Sequence, residues 1–519
     1  MKREKIDDKY AISPRAWVTL IVLGLSVLIA MYGETMLLPA IPDIINEFDI
    51  SYNTSSWILT AYLISGAVMT PIAGKLSDVY GRKKMILIIL VVYIIGVAIG
   101  GWSPNFYAML ISRIVQGMGI SMFPIAFGII RELFPPQKLA IGVGIFTSMF
   151  AAGSVVGLAL GGTIIQHLGW HVTFFSILPF AIVLWFVIKR FVKNTIQDSE
   201  GLDNDSQIYK NNDNKVASKK GSSIIDIKGA LLLTIVITSF LLAITFIGNI
   251  NNNAGGNNAD SEPANSVIFT FLLLIAITIV SAGLFIFLEK KATSPLIDLK
   301  LFSNKIFLTS NVLVLSLGLP MFLVYQTIPF LVRGPPPGGF GGSAIEAAIV
   351  QLPFMLIFLV FAPASGFIIS KIGSIKPVVF GTMITLAGFS SMLAFHSTEM
   401  LVGGNLAIIA VGFALLNTGV FNIILTSTPI QYSGISLGLS VVIMMIGMSI
   451  GPIIAGFFMQ TFQTAKIIMT EVSAHPSATA FNAIFLTGIL ISVISVILSL
   501  ILRKKINQSD AKMDTLSGE

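Results

Sequence analysis

Fourteen stretches of this chain are apolar over about the length that crosses a lipid bilayer, and that feature limits what it can fold into. Marked between charges, Pro/Gly clusters and Asn-rich segments, they lie near 16–41, 55–74, 83–101, 105–130, 139–165, 170–190, 227–248, 266–288, 305–332, 343–370, 376–396, 402–425, 434–460 and 479–502. A helical span needs roughly 20 such residues. The expected class is therefore an all-α, polytopic integral membrane protein. Composition agrees, with 55% hydrophobic and 11% charged residues and a mean hydropathy of +0.88. Soluble domains carry about 25% charged residues. A water-soluble enzyme, a disordered chain and a collagen-like chain are excluded. The first run exceeds the roughly 7–15 residues of a signal-peptide core and lacks a convincing cleavage site, so it is expected to remain as a helix.

An even number of spans puts both termini on one side. With the N-terminus inside, all but three of the 32 basic residues fall in inner segments; the exceptions are Arg113, within a span, and Arg333 and Lys466, in outer loops. Such asymmetry is the positive-inside pattern, and it predicts a multi-pass plasma-membrane protein with cytoplasmic termini. The net charge of +7 then needs no nucleic-acid partner. The chain has no cysteine, which removes disulfides, thiolate metal sites and cysteine catalysis. His167, His171, His396 and His475 all fall at outer boundaries or loops and are expected to be solvated, so no metal or cofactor is expected. No GxxxxGK[ST] phosphate loop is present, which disfavours ATP-driven chemistry.

The sequence also repeats itself. Residues 71–84 and 363–376 share Pro71/Pro363, Gly74/Gly366, Gly81/Gly373 and Lys84/Lys376 at an offset of 292. Residues 144–162 and 438–456 share Gly144/Gly438, Gly153/Gly447, Gly157/Gly451 and Gly162/Gly456 at an offset of 294. Glycine is only 46 of 519 residues, so two ungapped matches at nearly one offset point to duplication. Eight helices separate equivalents although each unit holds six, which predicts two inserted helices and a 6 + 2 + 6 order. The expected divisions are an inner segment 1–15, a first six-helix bundle 16–190, a flexible linker 191–226, an inserted pair 227–288, a connector 289–304, a second bundle 305–502 and a tail 503–519. Parallel repeats of this kind are the pattern of major-facilitator-type folds, with a substrate site between the halves near mid-membrane.

Several motifs carry a closer resemblance. GKLSDVYGRKK at 74–84, between spans 2 and 3, is similar to the signature loop of the major facilitator superfamily. WILTAYL with Trp57 and Tyr62, LGWHVTFFSILP at 168–179 with His171 where arginine is usual, Asp226 with Gly229, and PLIDLKLF at 295–302 add to it. Over nearly its whole length the chain resembles the fourteen-helix drug:proton antiporters of that superfamily. In the signature loop, Gly74 and Gly81 permit a tight turn, and the basic residues hold the loop inside. Asp78 is expected to act in a conformational lock, with Arg82 or Arg131 as its partner; a merely topogenic turn would show the same basic residues. RIVQGMG at 113–119 is similar to the family motif whose membrane arginine takes part in proton transfer. GSVVGLALGG at 153–162 resembles the antiporter motif, with Leu158 where proline is usual; its repeat GMSIGPIIAG keeps Pro452. Gly153, Gly157, Gly161 and Gly162 also suit close helix contact, which is a sufficient physical explanation for them.

Charged residues within spans are expensive and mark function by default. Glu34 is the only acid well inside a span, and Arg113 the only base. Counted from the outer helix ends they lie about 10 and 12 Å deep, so they can meet. A carboxyl whose hydration or pairing changes between inward and outward states can load and release a proton. A buried pair that only fixes packing is the alternative, though buried ion pairs are poor stabilisers. Gln116, Tyr325, Gln326, Gln351, Asn417 and Asn422 are candidate cavity residues and equally suited to interhelical hydrogen bonds. The expected function is proton-coupled export of small amphipathic or cationic molecules by a monomer in the lipid bilayer, with Glu34 as proton or cation acceptor. Symport of a nutrient and ligand sensing without transport remain as rivals on the same fold. Export would lower cellular dye accumulation, import would raise it, and a sensor would produce no flux.

Overall fold

The computed structural model describes residues 12–134, 139–192, 227–253, 264–292, 299–428, 433–468 and 471–517. The expected N-terminal segment up to residue 11, nearly all of the linker 191–226 with Asp226, and the middles of the loop 249–265 and the connector 289–304 lie outside them. So does the side chain of Asp78.

Among the described residues the chain is almost wholly helical, as its apolar runs predict. The long helices are α1 (Pro14–Phe48), α2 (Trp57–Tyr80), α3 (Arg82–Gly101), α4 (Phe106–Leu133), α5 (Leu139–Leu168), α6 (Trp170–Phe191) and α7 (Ile227–Asn253). They continue as α8 (Ala264–Lys291), α9 (Lys305–Arg333), α10 (Ala344–Ile372), α11 (Ile375–Ala394), α12 (Glu399–Ser427), α13 (Ser433–Thr461) and α14 (Ala478–Ser517). Thirteen are long and apolar enough over described residues to cross a membrane, and α7 adds a shorter described apolar stretch, Leu231–Ile244. Polar residues cap the starts: Ser13, Asn105 and Thr398 accept backbone N–H groups, and Ser343 with Glu346 closes a reciprocal capping box.

Three features depart from the runs read in the sequence. The span expected at 105–130 is two α-helical pieces joined by a 3-10 turn at Met118–Ser121. Gly117 there sits against the Tyr62 carbonyl and Gly119 against the Tyr93 ring, so neither place has room for a side chain. The last helix continues through the expected tail to Ser517. Between α13 and α14, where a loop was expected, strands β1 (Gln463–Ile468) and β2 (Glu471–Pro476) form an antiparallel hairpin, Gln463 opposite Pro476.

Helix neighbours recur at a separation of eight. α1 packs on α5 and α9 on α13; α3 packs on α6 and α11 on α14; α2 packs on α4 and α10 on α12. Matched glycines occupy matched places. Gly153 and Gly157 meet the Leu28 and Tyr32 carbonyls of α1, while Gly447 and Gly451 meet the Leu315 and Leu319 carbonyls of α9. Gly162 abuts Ala348 of α10, and Gly456 abuts the Tyr52 carbonyl ahead of α2. Gly81 and Gly373 end α2 and α10 at φ +93° and +78°, a left-handed backbone that a side chain would strain. Gly74 and Gly366 both face open space. Buried apolar residues form two cores, one drawn mainly from α1 and α3–α6, the other mainly from α9–α14 with much of α2. The seams between them are α2 against α13 and α5 against α10. α7 packs along α8, with Ser239 and Thr278 hydroxyls 2.8 Å apart, and touches both α2 and α13.

Candidate functional site

Two buried charges, Glu34 and Arg113, lie where α1 stops being a regular helix. Its first part ends at Thr35, ahead of Pro39 in the 3-10 turn Leu38–Ala40, and a second part, Ile41–Phe48, continues the span. A helix that ends within the membrane leaves carbonyls for other donors. Arg113 of α4, fully buried, takes one: its Nη1 donates to the Gly33 carbonyl at 3.0 Å and to Gln116 Oε1 at 2.9 Å, and its Nε donates to the Ile58 carbonyl of α2 at 3.0 Å. Its guanidinium lies over the Tyr62 ring, 4.5 Å from the centroid. Tyr62 and Tyr93 donate their hydroxyls to the Ala30 and Ile29 carbonyls. One cation thus ties α1, α2 and α4 together. Its Nη2 has no hydrogen-bond partner.

Glu34 follows Gly33 directly and is 4% exposed. The arginine binds the carbonyl beside this carboxylate, and no Glu34–Arg113 ion pair lies within bonding distance. Among the described residues the carboxylate makes neither a hydrogen bond nor an ion pair. It does interact electrostatically with Arg113, and also with Tyr325 of α9, which belongs to the other core. Tyr62 of α2 and Tyr93 of α3 interact with it in the same way, so the acid is enclosed by groups from α2, α3, α4 and α9.

The other expected cavity residues separate. Gln116 is fully buried and bonds within the first bundle, donating to the Gly96 carbonyl at 3.2 Å and Ser112 Oγ at 3.0 Å. Tyr325 donates its hydroxyl to Met355 Sδ at 3.2 Å and packs edge-on against Phe354. Gln326 reaches across the seam, its Nε2 donating to Ser55 Oγ at 3.2 Å. Gln351 is buried with neither amide atom partnered; Asn417 is half-buried with its Oδ1 unpartnered, and Asn422 is half-buried. In the antiporter-like motif, Gly161 joins Gly153 and Gly157 against α1, facing the Met36 carbonyl, whereas Gly162 faces α10.

At the basic face, Arg82 pairs with Glu132 of α4 at 2.5 Å, and Gly128 lies against the same guanidinium. Glu132, which no sequence motif marks, follows Arg131 on the exposed last turn of α4. Arg131 has an interaction partner of its own. At the opposite face several contacts cross the seams. Arg333 grips Asp43 with two hydrogen bonds, of 2.5 and 2.6 Å, and donates to the Pro39 carbonyl at 2.8 Å. Tyr52 N donates to Gln460 Oε1, Thr60 Oγ1 to the Ser449 carbonyl and Ala344 N to Gln166 Oε1, each at 3.1 Å. The sequence did flag Arg333 as one of three basic residues off the basic side, but nothing local named its partner.

Comparison with known proteins matches residues 23–452 to the Major Facilitator Superfamily. The chain belongs to that superfamily. It is 28% identical over 406 residues to the Multidrug transporter protein MdtP of Bacillus subtilis, covering 77% of this chain and 67% of that protein. It is 26% identical over 451 residues to the Tetracenomycin C resistance and export protein of Streptomyces glaucescens, covering 86% and 76%. The human organic anion transporter MFSD10 shares the fold, with a TM-score of 0.59 at 16% identity over 94% of this chain and all of that one.

Proposed function

We propose that this superfamily member is a proton-coupled exporter of small amphipathic, often cationic molecules, of the fourteen-helix drug:proton antiporter branch, working by alternating access. The single observation that carries this reading is Glu34: a buried carboxylate with no bonded partner, beside a buried arginine and electrostatically coupled across the seam to Tyr325. Burying an ionisable acid without a partner is costly, and such a site suits a group that exchanges its proton or accepts a cation. The relatives' names, which speak of multidrug transport and of resistance and export, support the direction.

In this reading the 6 + 2 + 6 order holds, with the basic face cytoplasmic and the protein in the plasma membrane with both termini inside. The Asp43–Arg333 face is then external, and its seam contacts keep substrate and proton from crossing together. Arg113 holds the broken α1 in place and acts as the charge neighbour of Glu34. Asp78, Arg82 and Arg131, with Glu132, form the lock at the opposite end. Each proton returning through 100 mV supplies about 2.3 kcal/mol.

Cells expressing the protein should accumulate less ethidium, and a protonophore should abolish the difference. In proteoliposomes with an imposed pH gradient, Glu34→Gln should remove proton-driven flux while the protein remains monodisperse. Unaltered coupling in that variant would refute the role given to Glu34.

A further inference from the structure

Two side-chain amides in the buried seam region are left incomplete. Gln351 of α10 is 2% exposed, and neither Oε1 nor Nε2 has a partner. Gln326 of α9 is fully buried; its Nε2 reaches Ser55, and its Oε1 has none. A primary amide offers two donors and two lone pairs, and leaving them dry in a protein interior is costly where leucine would cost nothing.

The two amides share a level. Each stands seven residues from the Arg333-face end of its helix, Gln326 from Arg333 and Gln351 from Ala344, or about 10 Å at helical rise. Gln351 precedes Phe354 and Met355 by three and four residues, so it lies one turn along the α10 face that holds the Tyr325 ring. Tyr325 is one of the groups that interact electrostatically with Glu34, along with Arg113, Tyr62 and Tyr93. Asn417 also has an unpartnered oxygen, but it stands eighteen residues from the same face and belongs to a different level. The Tyr325 ring and two unfilled amides therefore lie within about one helical turn of each other in depth, and Tyr325 interacts in turn with Glu34.

We propose that Gln326 and Gln351 form a hydrogen-bonding subsite that reads a neutral donor–acceptor group of the substrate, such as a hydroxyl, ketone or carboxamide, beside the carboxyl of Glu34. The proposal rests on the reading of this chain as an exporter and narrows its substrates. Bare lipophilic cations satisfy the carboxylate and leave the amides dry. Amphipathic molecules that carry hydroxyl or carbonyl groups on an apolar body satisfy both, and a site built to hydrogen-bond a group discriminates against analogues lacking it.

The test is equilibrium binding to the purified full-length protein, read by tryptophan fluorescence, with two probes. Doxorubicin carries an amine with many hydroxyl and carbonyl groups; tetraphenylphosphonium is a cation with no hydrogen-bonding group. Gln351→Leu should raise the ratio of the doxorubicin Kd to the tetraphenylphosphonium Kd about tenfold, Gln326→Leu should move it the same way, and Gln351→Asn should restore part of it. An unchanged ratio in both leucine variants, or wild-type protein that does not bind doxorubicin, overturns the subsite. Proteoliposome flux is the separate arm. A shifted binding ratio without proton-driven transport would leave the subsite standing and remove the export reading.

Discussion

Replacing Arg333 with alanine removes the strongest contact between the ends of α1 and α9, and its effect can be sized from the geometry. The side chain makes two charge-assisted bonds to Asp43 and one to the Pro39 carbonyl, with the two ionic side chains 19% and 34% exposed. Solvent-exposed pairs contribute about 0.2–1 kcal/mol, and bidentate geometry places this one at the upper end. A contact that exists only while this face is closed shifts the open–closed equilibrium by its own free energy, so about 1 kcal/mol becomes roughly a fivefold rise in the open fraction. The remaining seam contacts keep the change from being larger. The chain has no cysteine, so Ser55→Cys provides a unique thiol at a position that is buried in the seam and touches Gln326. A membrane-impermeant maleimide applied from the Arg333 face should label Ser55→Cys/Arg333→Ala about five times faster than Ser55→Cys alone. Asp43→Ala should give a similar rate, and the double alanine variant no further gain, because both singles break one interaction. Exchanging the two residues should slow labelling again. Identical rates in all variants, or independent effects that multiply, would refute a role for the Asp43–Arg333 pair in holding this face closed.

Two further predictions concern the first bundle. A Cβ at Gly157 would lie 2.7 Å from the Tyr32 carbonyl and 2.9 Å from its Cα, so Gly157→Leu must push α1 off α5; overpacking of this kind costs about 1–3 kcal/mol. The thermal midpoint in detergent should fall for Gly157→Leu but not for Gly404→Ala, where a Cβ has open space; equal midpoints would show that the contact is soft. Arg113→Lys keeps the charge but puts one ammonium where a planar fork serves the Ile58 and Gly33 carbonyls and Gln116. It should lower stability by about 2 kcal/mol through the carbonyls it leaves unpaired, and cut transport more than tenfold. Near wild-type values for both would mean that only the charge matters.

The class of fold was legible because the bilayer makes it a local property. Each span must be about 20 apolar residues long and pair its own backbone, so helix number follows from runs of residue type. The matched glycines were legible for a related reason: a residue without a side chain stands where backbones touch, as Gly157 and Gly451 do, or where φ is positive, as at Gly81 and Gly373. The burial of Glu34 and Arg113 also followed from depth along their helices. What these two residues touch did not. Arg113 binds carbonyls set free by the break in α1 and by its crossing with α2, and no spacing along the chain encodes which carbonyls those are. Asp43 with Arg333, Arg82 with Glu132 and the unfilled amide of Gln351 depend likewise on which helix ends are brought together. Sequence by itself determined the helical spans, the glycines at close backbone contacts and the rare polar residues worth watching, since hydrophobicity and glycine act at one position at a time. Only the tertiary structure decided the partners, because a hydrogen bond needs two groups within about 3 Å, and residues tens or hundreds of positions apart reach that distance only through packing.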